Sequence, residues 1–371
     1  MNSPLPASPA RSDPLARIRR DVQGMHAYAV QDAAGLVKLD AMENPHTLPP
    51  QLARALGERL AQVAINRYPG PRVEDLKTAL ARYAGLPEGW ALMLGNGSDE
   101  LIGLLAMACD VPGAAILAPA PSFVMYAMSA QLQGLAFHGV PLTDRFELDE
   151  AAMLDAIEQH KPALLYLAYP NNPSANLWDA GAMARLIAAQ TAQGGLAVVD
   201  EAYQPFAAHS WIERVRQEPA GADSVLIMRT LSKYGLAGVR IGYLMGQAEL
   251  IAQIDKVRPP YNVSALNAEC ALFALEHADE YARQAAQVKA ERARLLAALA
   301  QMPGVTAYPS QANMILARVP DAARAFAGMK ARGVLVKNVS AMHPMLANCL
   351  RLTVGANGEN VQMLTALQAC L

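Results

Sequence analysis

From about residue 70 to 255, short apolar runs alternate with longer segments of helical periodicity, and this alternation constrains the fold more than any other feature of the chain. The runs fall at 91–94, 114–117, 164–168, 196–199, 225–228 and 239–244. Each has the length of a strand. Helices are expected between several of them. One runs from Ser98 to Cys109, one starts behind Asp149 as N-cap and ends before Pro162, and one covers 179–193 and stops at Gly194-Gly195. The pattern predicts an α/β fold with a mostly parallel sheet covered by helices on both faces. After Tyr261 the pattern changes. Segments 264–277 and 280–302 read as helices, and 305–308, 314–318 and 349–354 as short strands of a smaller α+β domain. The expected organisation is a tail over 1–19, a segment over 20–60 packing with the small domain, a large domain over 61–260 and the small domain over 261–371.

In sheets of this kind, ligands sit beyond the carboxyl ends of the strands. Here those ends carry Gly95-Asn96-Gly97-Ser98, Pro121-Ser122-Phe123, Asn171-Asn172-Pro173, Asp200-Glu201-Ala202-Tyr203 and Thr230-Leu231-Ser232-Lys233. Packing alone does not require polar and aromatic clusters along one sheet edge. A lysine just past a buried strand is ordinarily a solvated charge. Lys233 has Ser232 before it and Arg240 after it, and the pair could hold a phosphate monoester beside the amine. An amine in an apolar pocket near other cations loses part of its proton and becomes a nucleophile toward aldehydes. Lysine plus phosphate clamp is what pyridoxal 5′-phosphate requires.

Asp200 closes the apolar run Leu196-Ala197-Val198-Val199, where a carboxylate is costly unless paired. It is either a helix N-cap or the partner of a protonated pyridine nitrogen. Tyr203 and Asn172 are candidates to bond a cofactor phenolate, although Asn-Asn-Pro is also an ordinary turn. Gly97-Ser98-Asp99-Glu100 opens a helix whose backbone N–H groups attract phosphate, and equally reads as common capping. Phe123 either stacks on a ring or packs in the core.

Several functions are disfavoured. The formal net charge is −2 and no run of Lys and Arg exceeds two, so a nucleic-acid surface is not expected. Cys109, Cys270, Cys349 and Cys370 show no C-x-x-C spacing and suit a reducing compartment. The histidines form no ligand pair, so no metal site is expected. Between Glu100 and Asp144 the only Asp, Glu, Lys or Arg is Asp110, but Pro112, Gly113, Pro119 and Pro121 cut the stretch too short to cross a bilayer. The first dozen residues have no signal-peptide core, and the cytoplasm is the expected location. There is no G-x-S-x-G, Walker loop or H-E-x-x-H.

Taken in order, the motifs resemble the histidinol-phosphate aminotransferase family of fold-type I pyridoxal-phosphate enzymes, over about residues 20–371. They are Glu43-Asn44-Pro45, Arg67-Tyr68-Pro69-Gly70, Gly95-Asn96-Gly97-Ser98-Asp99-Glu100, Tyr169-Pro170-Asn171-Asn172-Pro173, Asp200-Glu201-Ala202-Tyr203, Thr230-Leu231-Ser232-Lys233 with Gly238-Val239-Arg240, and Leu350-Arg351-Leu352-Thr353-Val354-Gly355. The resemblance implies that Lys233 is the Schiff-base lysine and acid–base catalyst and that Asp200 pairs with the pyridine nitrogen. It implies that Tyr203 and Asn172 bond the phenolate, that Gly97, Ser98, Asp99, Ser232 and Arg240 surround the phosphate, and that Phe123 stacks on the ring. Tyr68 would reach the neighbouring subunit's cofactor phosphate in a homodimer, and Tyr28, Asn172, Lys337 and Arg351 would contact the substrate.

The implied reaction moves an amino group from L-histidinol phosphate to 2-oxoglutarate. An aromatic-amino-acid transaminase and a threonine-phosphate decarboxylase are the alternatives on the same scaffold. The chain departs from the family pattern in four places: Met42 stands for Asn, Ser174-Ala175 for Thr-Gly, Lys337 for Arg, and the step from Lys233 to Arg240 is one residue short.

Overall fold

The computed structural model of the protein describes residues 14–25, 31–218 and 221–371. The chain forms two compact units, Met1–Ala34 and Gly35–Leu371. Among the described residues of the first, a 3-10 turn (Pro14–Arg17) precedes the one-turn helix α1 (Arg20–Gln23). The second begins with β1 (Val37–Lys38), α2 (Pro50–Leu60) and α3 (Arg72–Ala84).

The alternation read from the sequence follows. It runs β2 (Trp90–Gly95), α4 (Ser98–Ala108), β3 (Ala115–Ala120), α5 (Met125–Gln133), β4 (Ala136–Pro141), α6 (Glu150–His160), β5 (Leu164–Ala168) and α7 (Ala180–Ala192). It continues through β6 (Leu196–Asp200), α8 (Trp211–Gln217), β7 (Val225–Thr230), β8 (Gly242–Gln247) and α9 (Ala248–Ile254). Asp149 and Asp179 cap α6 and α7, each carboxylate accepting the N–H of the third residue on. Strands β2 to β8 form one sheet in the order β2-β8-β7-β6-β5-β3-β4. β8 runs antiparallel to both its neighbours, and the other adjacent pairs are parallel.

Every residue of β5 and β7 is buried, because helices cover both faces and leave no polar side to alternate. On one face Leu101, Leu105, Tyr126 and Ile251 pack on Ile116, Val198 and Leu226. On the other, Leu76, Ile157, Leu186 and Ile212 pack on Leu117, Val199 and Ile227.

Two features of the large sheet differ from the sequence reading. β4 was not among the expected strands: it is an edge strand whose residues are largely exposed and carry no apolar run. β8 begins at Gly242 and not at Val239, because Arg240 turns the chain in the left-handed conformation at φ 59.

Beyond β8, α10 (Ala265–Glu276) is capped by Ser264 and is followed by the long α11 (Ala278–Leu299). Then come β9 (Thr306–Ala307), β10 (Met314–Arg318), α12 (Ala322–Ala331), β11 (Val334–Leu335), β12 (Lys337–Asn338), β13 (Cys349–Thr353) and α13 (Asn357–Gln368). A four-stranded antiparallel sheet has the order β12-β13-β10-β9, and β1 pairs in parallel with β11. Its core is built on Met314, Ile315, Leu352, Val288, Leu295 and Met363. The two-residue strands β1, β11 and β12 carry no strand signal in the sequence.

Candidate active site

The parallel strands point their carboxyl ends at one edge, so their terminal residues converge. A cavity of about 350 Å³ opens there, within the roughly 300–1,000 Å³ usual for small-molecule sites. Ser98, Asp99, Phe123, Asn172, Asp200, Tyr203, Ser232, Lys233 and Arg240 all line it. Nine of the expected site residues thus meet in one place.

At one end lies an anion cradle. Gly97 caps α4 at φ 84 and leaves the first N–H groups of the helix open. A Cβ on Gly97 would stand 2.4 Å from Arg240 Nη2, and one on Gly242 would stand 2.5 Å from the Gly97 carbonyl carbon and 2.6 Å from Ser98 N. Position 242 therefore needs glycine for space, because the atoms a Cβ would meet are backbone, whereas position 97 needs it for its left-handed φ, the Arg240 head group being able to move. Arg240 donates to Ser232 Oγ at 3.4 Å and lies 3.6 Å from the Asp99 carboxylate. Thr230 Oγ1 donates to Ser232 Oγ at 2.9 Å and fixes that hydroxyl.

Across the cavity sits Asp200, 4% exposed. One oxygen accepts from the Tyr126 hydroxyl at 2.7 Å, the other from the Ala202 N–H at 3.0 Å. Asp200 thus holds the turn that follows β6 through the Ala202 N–H, without capping a helix, and it also lines the cavity. Burial pushes its carboxyl up to about 6, against the bonds from Tyr126 and Ala202. Tyr126 was not singled out in the sequence. It follows Phe123 by three residues, one helical turn, and reads as an ordinary core tyrosine.

Between these ends lies Lys233, partly buried, whose ammonium donates to the Ala41 carbonyl at 3.0 Å. Burial and then the charge of Arg351 push it down to about 8. Asn172 Nδ2 donates to the Tyr203 hydroxyl at 3.1 Å, and Arg351 Nη1 donates to Asn172 Oδ1 at 2.8 Å. Arg351 Nη2 also donates to the Asp40 carbonyl at 2.9 Å. Lys337, half-buried, pairs with Arg351 across the β12–β13 ladder, which puts the two cations on one face of the sheet. Tyr68 does not line the cavity. It is 77% exposed and stacks on Tyr261 with ring centroids 4.4 Å apart. Tyr28 lies outside the described residues.

The segment 41–43 forms part of the cavity wall and carried no signal in the sequence beyond its motif. Met42 stands at φ 52 and Ala175 at φ 64. Both are departures from the family pattern, which has Asn and Gly there. Those two residues tolerate the left-handed region, where other L-residues carry roughly 1–2 kcal/mol of strain. Met42 is held in place by bonds from its N–H to Thr353 Oγ1 and from Asn313 Nδ2 to its carbonyl.

The donor set fits pyridoxal phosphate: an amine of lowered basicity, a buried carboxylate, and an anion cradle of Ser98, Ser232 and Arg240 at the start of α4. Among the described residues, no group of three or more His, Cys, Asp or Glu could hold a metal ion. No helix among them is long and apolar enough to cross a membrane.

The aminotransferase class I and II family model matches residues 34–369. The histidinol-phosphate aminotransferase of Methylibium petroleiphilum is 68% identical over 358 residues, covering 96% of this chain and 95% of its own length. That of Acidovorax ebreus is 67% identical, covering 96% and 97%. Histidinol-phosphate aminotransferase from Sinorhizobium meliloti, solved in complex with pyridoxal-5′-phosphate, shares the fold with a TM-score of 0.79 at 24% identity, over 96% of this chain and 97% of that one. With a family model spanning nearly its whole length and relatives identical at two residues in three, the chain belongs to the class I and II aminotransferases, in their histidinol-phosphate aminotransferase branch.

Proposed function

We propose that the enzyme transfers the amino group of L-histidinol phosphate to 2-oxoglutarate, giving imidazole acetol phosphate and L-glutamate in histidine biosynthesis, with pyridoxal 5′-phosphate held at Lys233. Relatives at 65–68% identity over nearly the full chain, each a histidinol-phosphate aminotransferase, support this reading over the aromatic-amino-acid and decarboxylase alternatives. The observation that carries it is the Lys233 amine, brought down to about 8 in the cavity that also holds Asp200 and the anion cradle.

Bound there, pyridoxal phosphate supplies an aldehyde that captures the donor's amine and a ring that withdraws electrons from the adjacent carbon. The chain does the rest. Ser98 and Asp99 through backbone N–H groups, with Ser232 and Arg240 through their side chains, hold the phosphate. Asp200, ionised above about pH 6, keeps a proton on the ring nitrogen. Tyr203 and Asn172 would orient the phenolate oxygen, and Phe123, which lines the same cavity, would stack on the ring. Lys233 holds the cofactor and then moves the proton. An amine near pKa 8 is partly neutral at pH 7 to 8, so it can accept a proton from carbon and return it elsewhere. Arg351, Lys337 and Tyr28 are assigned to the anionic end of the substrate.

Tyr68, exposed and clear of its own cavity, supports a homodimer in which it serves the partner's cofactor phosphate. The cofactor is assigned to a large domain over 61–260, beside a small domain over 261–371. The four free cysteines are in keeping with action in the cytoplasm.

The test is a half-reaction screen. Enzyme loaded with pyridoxal phosphate is mixed with single amino donors, and conversion to the pyridoxamine form is followed by absorption. Histidinol phosphate should react faster than phenylalanine or tyrosine. The opposite order would overturn the substrate assignment.

A further inference from the structure

On the face of the sheet opposite Asp200 lies an ion pair outside the cavity lining. Glu201 and Arg229 have side chains only 0% and 6% exposed, with Arg229 Nε 2.8 Å from the carboxylate. The Ser210 hydroxyl donates to Glu201 at 2.9 Å and accepts from Arg229 Nη2 at 2.8 Å. The Trp211 N–H donates to the same carboxylate, and Tyr243 bonds to Arg229. Stability alone does not account for the pair. Replacing a buried ion pair by uncharged residues of like volume is often neutral or stabilising, whereas removing one partner is costly.

Its place in the fold is informative. The β6–β7 ladder ends at Asp200↔Met228, and the last backbone bond between the strands runs from the Glu201 N–H to the Met228 carbonyl at 2.8 Å. Past that point one strand leads to Tyr203 and the other to Lys233. Glu201 is adjacent to Asp200, and Arg229 lies four residues before Lys233. The pair therefore continues the joint between β6 and β7 beyond the end of the backbone ladder. We propose that Glu201 and Arg229 are a positioning pair that sets the spacing of Asp200 from Lys233, and thus the seat of the cofactor between them. This rests on the assignment of pyridoxal phosphate to the cavity.

Two variants test it. Glu201→Gln/Arg229→Met removes both charges and the cross-strand bond but keeps an acceptor for Ser210 and the Trp211 N–H, so it should fold with a near-native urea midpoint. Arg229→Lys keeps the charge and loses the two-pronged geometry. In titrations of the apoenzyme, the double variant should bind pyridoxal phosphate at least about tenfold more weakly, the equivalent of about 1.4 kcal/mol. Its kcat should fall by a similar factor while the KM for histidinol phosphate stays near native. Arg229→Lys should show the same split to a smaller degree, and it decides the matter if the double variant does not fold. A lowered urea midpoint with native cofactor affinity and kcat in either folded variant would make the pair structural only and overturn the proposal. Failure of the unmodified enzyme to bind pyridoxal phosphate would instead overturn the cofactor assignment.

Discussion

Asp200→Asn should stabilise the cofactor-free chain while slowing the chemistry of the loaded enzyme, and both effects follow from one carboxylate. Burial raises Asp200 from 3.8 to about 6. At about 1.4 kcal/mol per unit, that shift represents about 3 kcal/mol of penalty on the folded, charged form. Because the folded value lies above the unfolded one, the penalty is small near pH 4, grows as pH rises, and is complete above about pH 6. The nearly isosteric amide has no charge to bury; its oxygen can accept from the Ala202 N–H while its NH2 donates to the Tyr126 hydroxyl oxygen. Urea unfolding of the two apoproteins should therefore nearly coincide at pH 4 and differ by up to about 3 kcal/mol at pH 8, the variant being the more stable. The loaded variant should turn over at least about 100-fold more slowly, a loss of roughly 2.7 kcal/mol in transition-state stabilisation, because the charge facing the ring nitrogen is gone. Parallel stability curves at both pH values would refute the buried-charge argument. Near-normal turnover would reduce Asp200 to a turn cap.

Other outcomes follow from the same site. Lys233→Ala should lose covalent attachment of the cofactor; borohydride treatment and peptide mapping of the unmodified enzyme should label Lys233, and a label on any other lysine would sink the assignment. Lys233→Ala mixed with Tyr68→Phe should recover activity through hybrid dimers, provided Tyr68→Phe alone is impaired. Activity that never exceeds the sum of the parents after verified subunit exchange would count against a shared site. Arg351→Ala should slow single-turnover half-reactions with both histidinol phosphate and glutamate by about 10- to 150-fold, the range for a charge-assisted hydrogen bond. Lys337→Ala should slow mainly the former, and native handling of histidinol phosphate by that variant would move the phosphate contact elsewhere.

Much of the site was legible because parallel strands translate sequence order into spatial convergence. Gly97, Asp200 and Lys233 each follow an apolar run, and runs of that kind end at one sheet edge. What escaped the sequence lacked a pattern of its own. The Ala41 carbonyl that accepts from Lys233 is backbone, and backbone contacts leave no mark on residue type. Tyr126 is fully buried beside Tyr166, which is also how a packing residue looks. Lys337 is opposite Arg351 only through the β12–β13 register, and two-residue strands carry too little periodicity to set one. Arg240 sits in an expected strand yet leaves it at φ 59 to reach the cradle, a tertiary demand that local propensity does not express. Met42 and Ala175 stood out as departures from a pattern, and the left-handed backbone explains why the pattern has Asn and Gly there.

The close approach of Gly97 and Gly242 bears on how such an enzyme can diversify. One added methyl at position 242 would lie 2.5 Å from the Gly97 carbonyl carbon and 2.6 Å from Ser98 N, backbone atoms that cannot swing aside. The smallest possible mutation there already pries α4 from β8, so no graded series of neighbours leads away from the present design. The opposite end is different in kind. Lys337 and Arg351 present their side chains from one face of the β12–β13 ladder, and their lengths and charges can change singly without moving a backbone. Descendants of this scaffold are therefore free to drift toward new amino donors while remaining bound to one phosphorylated cofactor, and a lineage that lost Gly242 would disturb the cofactor's seat before it gained a new substrate.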